Sequence, residues 1–256
     1  VPAILVAGSV VVVLLHQVAR SEPVWSEWWL DVPLTLLLSV AACAWWRSRA
    51  QRRHEEVADG VDAMAGAVEM RDAYTGEHSQ AVVNLARRVG EKLGLTDREL
   101  SRLEIGARLH DVGKIGVPDA VLRKEGPLDG PEWEIMRRHP EWGAELVDRM
   151  PGLHHVSRIV RHAHERWDGD GYPDRLHRTD IPVESRIIFA CDAYHAMTSD
   201  RPYRDALRPS IAVSELRDGA GGQFDPEVVN VLLSELRTER SLSSSQIRPS
   251  RVAVPA

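Results

Sequence analysis

Two cysteines in 256 residues, Cys43 and Cys191, are too few and too far apart for a disulfide framework or a cysteine-based zinc motif. Their unlike surroundings place the soluble part of the chain in a reducing compartment. No stretch alternates polar and apolar residues for more than four positions, which excludes a half-buried sheet and leaves an all-α fold. A net charge of -6 argues against a nucleic-acid coat and against a DNA or RNA duplex as partner. No basic region precedes the first apolar run, so that run does not read as a cleaved signal peptide. Aromatic residues are scarce, at 5%, yet eight are Trp, and Trp25, Trp28, Trp29, Trp45 and Trp46 all precede residue 47. That skew points to two different environments along one chain.

Residues 1–19 carry no Asp, Glu, Lys or Arg, and His16 near the end is their one awkward group. Residues 28–46 form a second apolar run with Asp31 near its start. As helices, runs of this length nearly span a hydrocarbon core of about 30 Å. Trp clusters at both ends of the second run suit two membrane interfaces, and Arg47, Arg49, Arg52 and Arg53 then mark the cytoplasmic end. Residues 1–46 are therefore expected to be a transmembrane helical hairpin in the cytoplasmic membrane, with everything after Arg47 inside the cell. The polar loop of eight residues, Arg20 to Glu27, is too short to fold around a ligand.

Residues 47–70 read as a basic juxtamembrane segment and linker helix. Val57, Val61, Met64 and Val68 step by 4, 3 and 4, the spacing of a coiled-coil seam. Gly60 interrupts it, and two readings stay open: a parallel homodimer through this helix, or a helix packed on its own domain. Residues 71–238 are expected to be one helical domain, and 239–256, rich in Ser and Pro, a disordered tail. Within the domain Thr96-Asp97-Arg98-Glu99 fits a capping box. Residues 131–149 read as a helix that Pro140 breaks or kinks, and Val156 to Glu165 as another. Pro182 opens the next helix, and Asp225-Pro226 opens a last one through about Arg237.

His110-Asp111-Val112-Gly113-Lys114 packs an imidazole, a carboxylate and an ammonium into five residues. A His beside an Asp suits a divalent metal, and a nearby Lys suits an anion held on it. His78, His139, His162, His164 and Asp192 recur along the chain. Asp192 lies on an otherwise apolar helix, where an unpaired carboxylate is costly to bury and metal coordination would explain it. Four His and two Asp on separate helices can converge on a core site.

As a set these residues resemble the HD-GYP family, the branch of the HD metal-dependent phosphohydrolases named for a His-Asp pair and a Gly-Tyr-Pro tripeptide. Here those are His110-Asp111 and Gly171-Tyr172-Pro173. Further matches are Tyr74-Thr75, Lys114, Asp168-Gly169, Thr198 to Arg204 and Gly222-Gln223-Phe224-Asp225-Pro226, so the resemblance covers about Asp72 to Val229. It implies an HD-type helical bundle that binds two divalent ions, iron or manganese. It implies a phosphodiesterase acting on a cyclic dinucleotide, cyclic di-GMP in the characterised members, with pGpG or GMP as product. His78, His110, Asp111 and Asp192 match the ligands of one ion. Asp111 matches the bridge to the second, whose other ligands match His139 and His164. A hydroxide held between the ions would attack the phosphodiester. Lys114 matches a lysine close to the scissile phosphate, Arg201 and Arg204 match phosphate-holding arginines, and Tyr172 matches an aromatic beside the substrate.

The chain departs from the pattern in three places. The family has two consecutive metal-binding histidines where this chain has Ala163-His164. His162 is one place early and, on a helix, about 100° away. Tyr74 stands where some members have the Glu of a third ion, which leaves two ions here. His195 stands where Asp is usual and reads as a satisfied histidine. His154, His155 and His177 read as surface or loop residues, and Cys191 as a small buried apolar side chain. The expected activity is cyclic di-GMP hydrolysis. Hydrolysis of another cyclic dinucleotide or nucleotide is one alternative, and a catalytically weak nucleotide-binding or signalling scaffold is the other.

Overall fold

The computed structural model describes residues 28–71, 75–200 and 205–246; the side chains of 28–35, 50–51, 53–56, 69, 75–78 and 239–246 lie outside that description. Among the described residues every element is helical, and the only extended pairing is an isolated bridge between Ala220 and Phe224. The chain divides into two units, one ending at Asp59 and one beginning at Gly60.

The first helix, α1 (Trp28–Glu69), runs for 42 residues. The second expected membrane span, 28–46, is thus the opening of one long helix, and the first, 1–19, lies outside the described residues. No helix among the described residues is long and apolar enough to cross a membrane. Leu36, Leu37, Leu38, Val40 and Trp45 of this helix are all exposed. Farther along α1, Val61, Ala65 and Val68 are buried within the single chain. Two of the four seam residues, Val61 and Val68, are thus covered within the chain, while Val57 and Met64 are half-buried.

The second unit contains α2 (Thr75–Lys92), α3 (Asp97–Leu109), α4 (Asp119–Leu122), α5 (Gly130–Met136), α6 (His139–Asp148), α7 (His154–Arg161), α8 (Val183–Thr198), α9 (Pro209–Asp218) and α10 (Pro226–Gln246). Its core joins Val82, Ala86 and Val89 of α2, Leu103 and Ala107 of α3, Ile187 and Ile188 of α8, and Leu232 of α10, all fully buried. Apolar residues three and four apart on each helix make this inward stripe. The capping box opens α3 as expected: Glu99 N–H donates to the Thr96 hydroxyl at 3.4 Å, and Thr96 N–H donates to Glu99 Oε2 at 2.8 Å. A second box, Asp129 with Glu132, opens α5.

Pro140 splits the expected 131–149 helix into α5 and α6, with the proline in the first turn of α6, where its missing N–H costs nothing. The last helix overruns its expected stop and continues to Gln246, so Ser241 to Gln246 of the expected disordered tail are helical. Extending an existing helix costs far less than nucleating one. The helix expected through Glu165 ends instead at Arg161, and His162 (φ -101°, ψ 13°) turns away from it. Trp167 and Asp168 N–H groups then donate to the Gln223 and Gly222 carbonyls at 3.1 and 2.9 Å, which explains the Gly222-Gln223-Phe224 run as a brace for this loop.

Candidate metal centre

Four short segments meet beneath α8. His110 ends α3, Asp111 opens a 3-10 turn (Val112–Gly116), His139 opens α6, and His164 lies in the loop after α7. The turn can press against α6 because residue 113 has no side chain: a Cβ there would lie 1.8 Å from the His139 carbonyl oxygen. Gly171 plays the same part in the loop, where a Cβ would lie 2.3 Å from Arg166 N.

The imidazoles are oriented by backbone. His110 Nδ1 lies 2.7 Å from the Ala107 carbonyl and His139 Nδ1 lies 2.8 Å from the Met136 carbonyl. A carbonyl only accepts, so both Nδ1 atoms carry hydrogen and both Nε2 atoms present lone pairs. His139 Nε2 faces His164 Nε2 at 3.0 Å and Asp111 Oδ1 at 3.3 Å, and His164 Nε2 is 3.9 Å from the same oxygen. On the other side of the carboxylate, His110 Nε2 is 3.5 Å from Asp111 Oδ2 and 4.0 Å from Asp192 Oδ1. Asp111 thus stands between two clusters of donors. Lys114 Nζ lies 2.6 Å from its Oδ2.

Three donor atoms from Asp111, His139 and His164 lie within 4.8 Å of one another, a spacing compatible with one divalent ion. Their ionisation suits it too. Burial opposes the Asp111 charge, but the Lys114 ammonium and the His110 imidazole outweigh it and hold the carboxyl well below its usual range. Burial pushes His139 down to about 4, so it is neutral at pH 7, the form that binds metal. Burial, together with the Asp111 and Asp192 carboxylates, pushes the Tyr172 phenol up, so it stays protonated. Its ring stacks on His164 at 5.3 Å with only 5° between the planes.

The His139 shift has a measurable sign. Below about pH 6.5 the unfolded chain binds a proton at this residue. The folded, metal-free chain does so only below about 4. Stability of the metal-free protein should therefore fall as pH drops through that window, by on the order of 3 kcal/mol. Urea denaturation of chelator-stripped protein across this range checks it. His139→Gln should remove this component of the slope, and an unchanged slope would count against the assignment.

Of the residues expected at the site, His110, Asp111, Lys114, His139, His164, Tyr172 and Asp192 are brought together. His78 lies on α2 with its side chain outside the description, and Arg201 and Arg204 lie outside the described residues altogether. Ala163 is 1% exposed and belongs to the apolar core, so no donor occupies its place. The expected reason for His162 not replacing it, an offset on one helix, does not hold, because neither residue is helical. His162 instead turns toward Glu165 and Asp174. His195 Nδ1 lies 3.2 Å from the Ser199 hydroxyl, and Cys191 is fully buried, its thiol pushed up by burial.

Arg137 was not anticipated. Its guanidinium lies 5.8 Å from the Tyr172 ring centre and 6.0 Å from that of Trp133, placing a cation at the rim of the site. An arginine two residues before a histidine carries no local signal. Only the packing of α5 against the Gly-Tyr-Pro loop gives it a role.

The profile of the HD-domain family matches residues 62–228. Over 181 residues the chain is 38% identical to a cyclic di-GMP phosphodiesterase response regulator of Xanthomonas campestris pv. campestris, covering 70% of this chain and 48% of that protein. It is 38% identical over 172 residues to a 3'3'-cGAMP-specific phosphodiesterase of Vibrio cholerae, covering 66% of this chain and 33% of that one. With a cyclic di-GMP phosphodiesterase of Thermotoga maritima it shares 37% identity over 167 residues, covering 64% and 45%. The chain spans about half the length, or less, of these relatives. Among solved structures, a cyclic GMP-AMP-specific phosphodiesterase of Vibrio cholerae superposes with a TM-score of 0.57 at 19% identity, covering 73% of this chain and 50% of that one. The HDG"Y"P protein of Bdellovibrio bacteriovorus does so at 0.51 and 21%, covering 62% and 51%. At those identities the likeness is one of fold.

Proposed function

Because the chain belongs to the HD-domain family, we propose that it is an HD-GYP-type metal-dependent phosphodiesterase that hydrolyses cyclic di-GMP to pGpG or GMP. The observation that carries the proposal is the half-buried, ionised Asp111 with imidazole nitrogens on both sides and the Lys114 ammonium at 2.6 Å. Two divalent ions, iron or manganese, would be held by His78, His110, Asp111 and Asp192 on one side and by Asp111, His139 and His164 on the other. When bound, they supply a nucleophile at neutral pH and Lewis acidity toward phosphoryl oxygens. The chain's own residues do the rest. Lys114 offsets charge that grows on the phosphate. Arg201 and Arg204 hold phosphate, and Tyr172 offers a ring face and a protonated hydroxyl beside the substrate. The backbone bonds from His110 and His139 hold their rings in the tautomer that ligation needs.

One relative invites a second substrate, since it is named for 3'3'-cGAMP. Ala163 keeps the scaffold reading alive. One assay separates all three: the full chain in mild detergent, loaded with manganese or iron, is given each dinucleotide beside a His110→Ala control. Faster turnover of cyclic di-GMP supports the proposal, and faster turnover of 3'3'-cGAMP transfers it to that substrate. Binding of either with no turnover above the control leaves a scaffold.

For location, the same reading seats residues 1–46 at the cytoplasmic membrane with the second unit in the cytoplasm. The support is the uncharged run 1–19, the exposed Leu36, Leu37, Leu38 and Val40, and the arginines from Arg47 to Arg53. Alkaline carbonate should leave the chain in the membrane pellet. Release into the supernatant would overturn the anchoring while leaving the catalytic proposal standing.

A further inference from the structure

We propose that His162, Glu165 and Asp174 form a second divalent-cation site, distinct from the candidate catalytic centre, that clasps together the two ends of the loop carrying His164 and Tyr172. His162 follows directly on the end of α7, and Asp174 follows Gly171-Tyr172-Pro173. Their side chains meet across the base of the loop. His162 Nδ1 lies 3.6 Å from Asp174 Oδ2 and 3.7 Å from Glu165 Oε1. These separations are too long for hydrogen bonds. They are close to the roughly 3–3.6 Å that separates two ligands of one ion with bonds of about 2.1 Å.

Two donor atoms of the cluster, His162 Nδ1 and Glu165 Oε2, are also buried without a hydrogen-bond partner. Glu165 is 1% exposed and His162 6%, so water does not serve them. Glu165 uses its Oε1 to accept from the Asp174 N–H at 2.7 Å, which ties the loop ends once already. A buried carboxylate with an idle oxygen is costly unless a cation meets it. The fixed charges leave room for one. Arg161 bonds both Asp174 oxygens at 2.7 Å and reaches Glu141 at 3.5 Å. With Arg138 reaching Glu141 at 4.0 Å, two guanidiniums face the three carboxyl groups of Glu141, Glu165 and Asp174, so acidic groups still outnumber basic ones here. One imidazole and two carboxylates suit zinc, manganese or ferrous iron.

The site is separate from the catalytic centre by direction. His164 Nε2 faces His139 and Asp111, whereas His162 Nδ1, two residues earlier, faces Asp174. An ion here holds the loop shut and so sets His164 and Tyr172. The inference does not depend on what the catalytic centre hydrolyses.

The test counts ions. The full chain and an Asp111→Asn/His139→Ala version are stripped with chelator and titrated with zinc or manganese. Bound metal per chain is measured by mass spectrometry after gel filtration, beside the melting temperature. In both backgrounds His162→Gln and Glu165→Gln should each remove about one ion per chain and part of the metal-induced rise in melting temperature, with far-UV circular dichroism unchanged. Gln at 165 keeps an acceptor for the Asp174 N–H, and if that variant fails to fold, His162→Gln decides alone. Equal metal content in parent and variant overturns the site.

Discussion

Asp111→Asn should cost about 10³-fold or more in turnover, ~4 kcal/mol of transition-state stabilisation, without unfolding the protein. The carboxylate faces His139 and His164 with one oxygen and His110 with the other. No second group can serve both sides. An amide keeps the shape but loses the anion that draws cations to either cluster. Its fold should survive at reduced stability, because Asn keeps the shape but leaves the Lys114 ammonium without its anion. The comparison to make is melting temperature with and without manganese. The metal-free variant should melt below the metal-free parent, since the folded state favours the Asp111 anion, and the metal-induced rise should shrink as well. A variant that keeps both the rise and the turnover would show that Asp111 is not the shared ligand. Lys114 gives the same experiment a second reading. With its anion gone at 2.6 Å, its ammonium is freer to meet phosphate, so product inhibition should change as well.

Gly113→Ala should be the most damaging single methyl in the chain. Its Cβ would lie 1.8 Å from the His139 carbonyl oxygen and 2.5 Å from Gly143 N. Both are backbone atoms at the start of α6, so no rotamer change relieves the clash. Ordinary overpacking costs about 1–3 kcal/mol, and this contact is closer than side-chain crowding allows. Against a total stability of about 5–15 kcal/mol, the expected result is loss of most of the cooperative unfolding transition. At the least, α6 is displaced and carries His139 away from His164. Gly66→Ala is the matched control, since a Cβ there meets nothing within 4 Å. In the last turn of α1 it should be neutral or stabilise by up to ~1 kcal/mol. Chemical denaturation of the two variants side by side gives the answer, and a Gly113→Ala protein as stable as the parent would refute the close-approach argument.

The two variants lie two residues apart, and they divide what was legible from what was not. Asp111 could be picked from the chain because its chemistry is local: an anion beside an imidazole, with a lysine one turn on. The same holds for Thr96 with Glu99, where both hydrogen bonds lie within four residues, and for Pro140, whose ring ends a helix wherever it falls. All-helical architecture followed from the lack of period-two runs. Recurrent His and Asp signalled a convergent site before any coordinates. These features depend on neighbours in sequence or on composition, so the sequence by itself determined them.

The rest depended on partners far along the chain. Helix α7 stops at Arg161, with no proline or glycine to stop it, while Trp167 and Asp168 bond to Gln223 and Gly222. That early end is why His162 and His164 diverge, one toward Asp174 and one toward Asp111. The same turn buries Ala163 in apolar core and Glu165 beneath the loop. The linker seam gave two readings, and burial of Val61 and Val68 within the chain supports packing on its own domain. Helix ends and burial are set by the free energy of long-range packing, which local propensity does not encode. The residue types able to bind metal were therefore written in the sequence, while which of them share an ion was decided by tertiary structure.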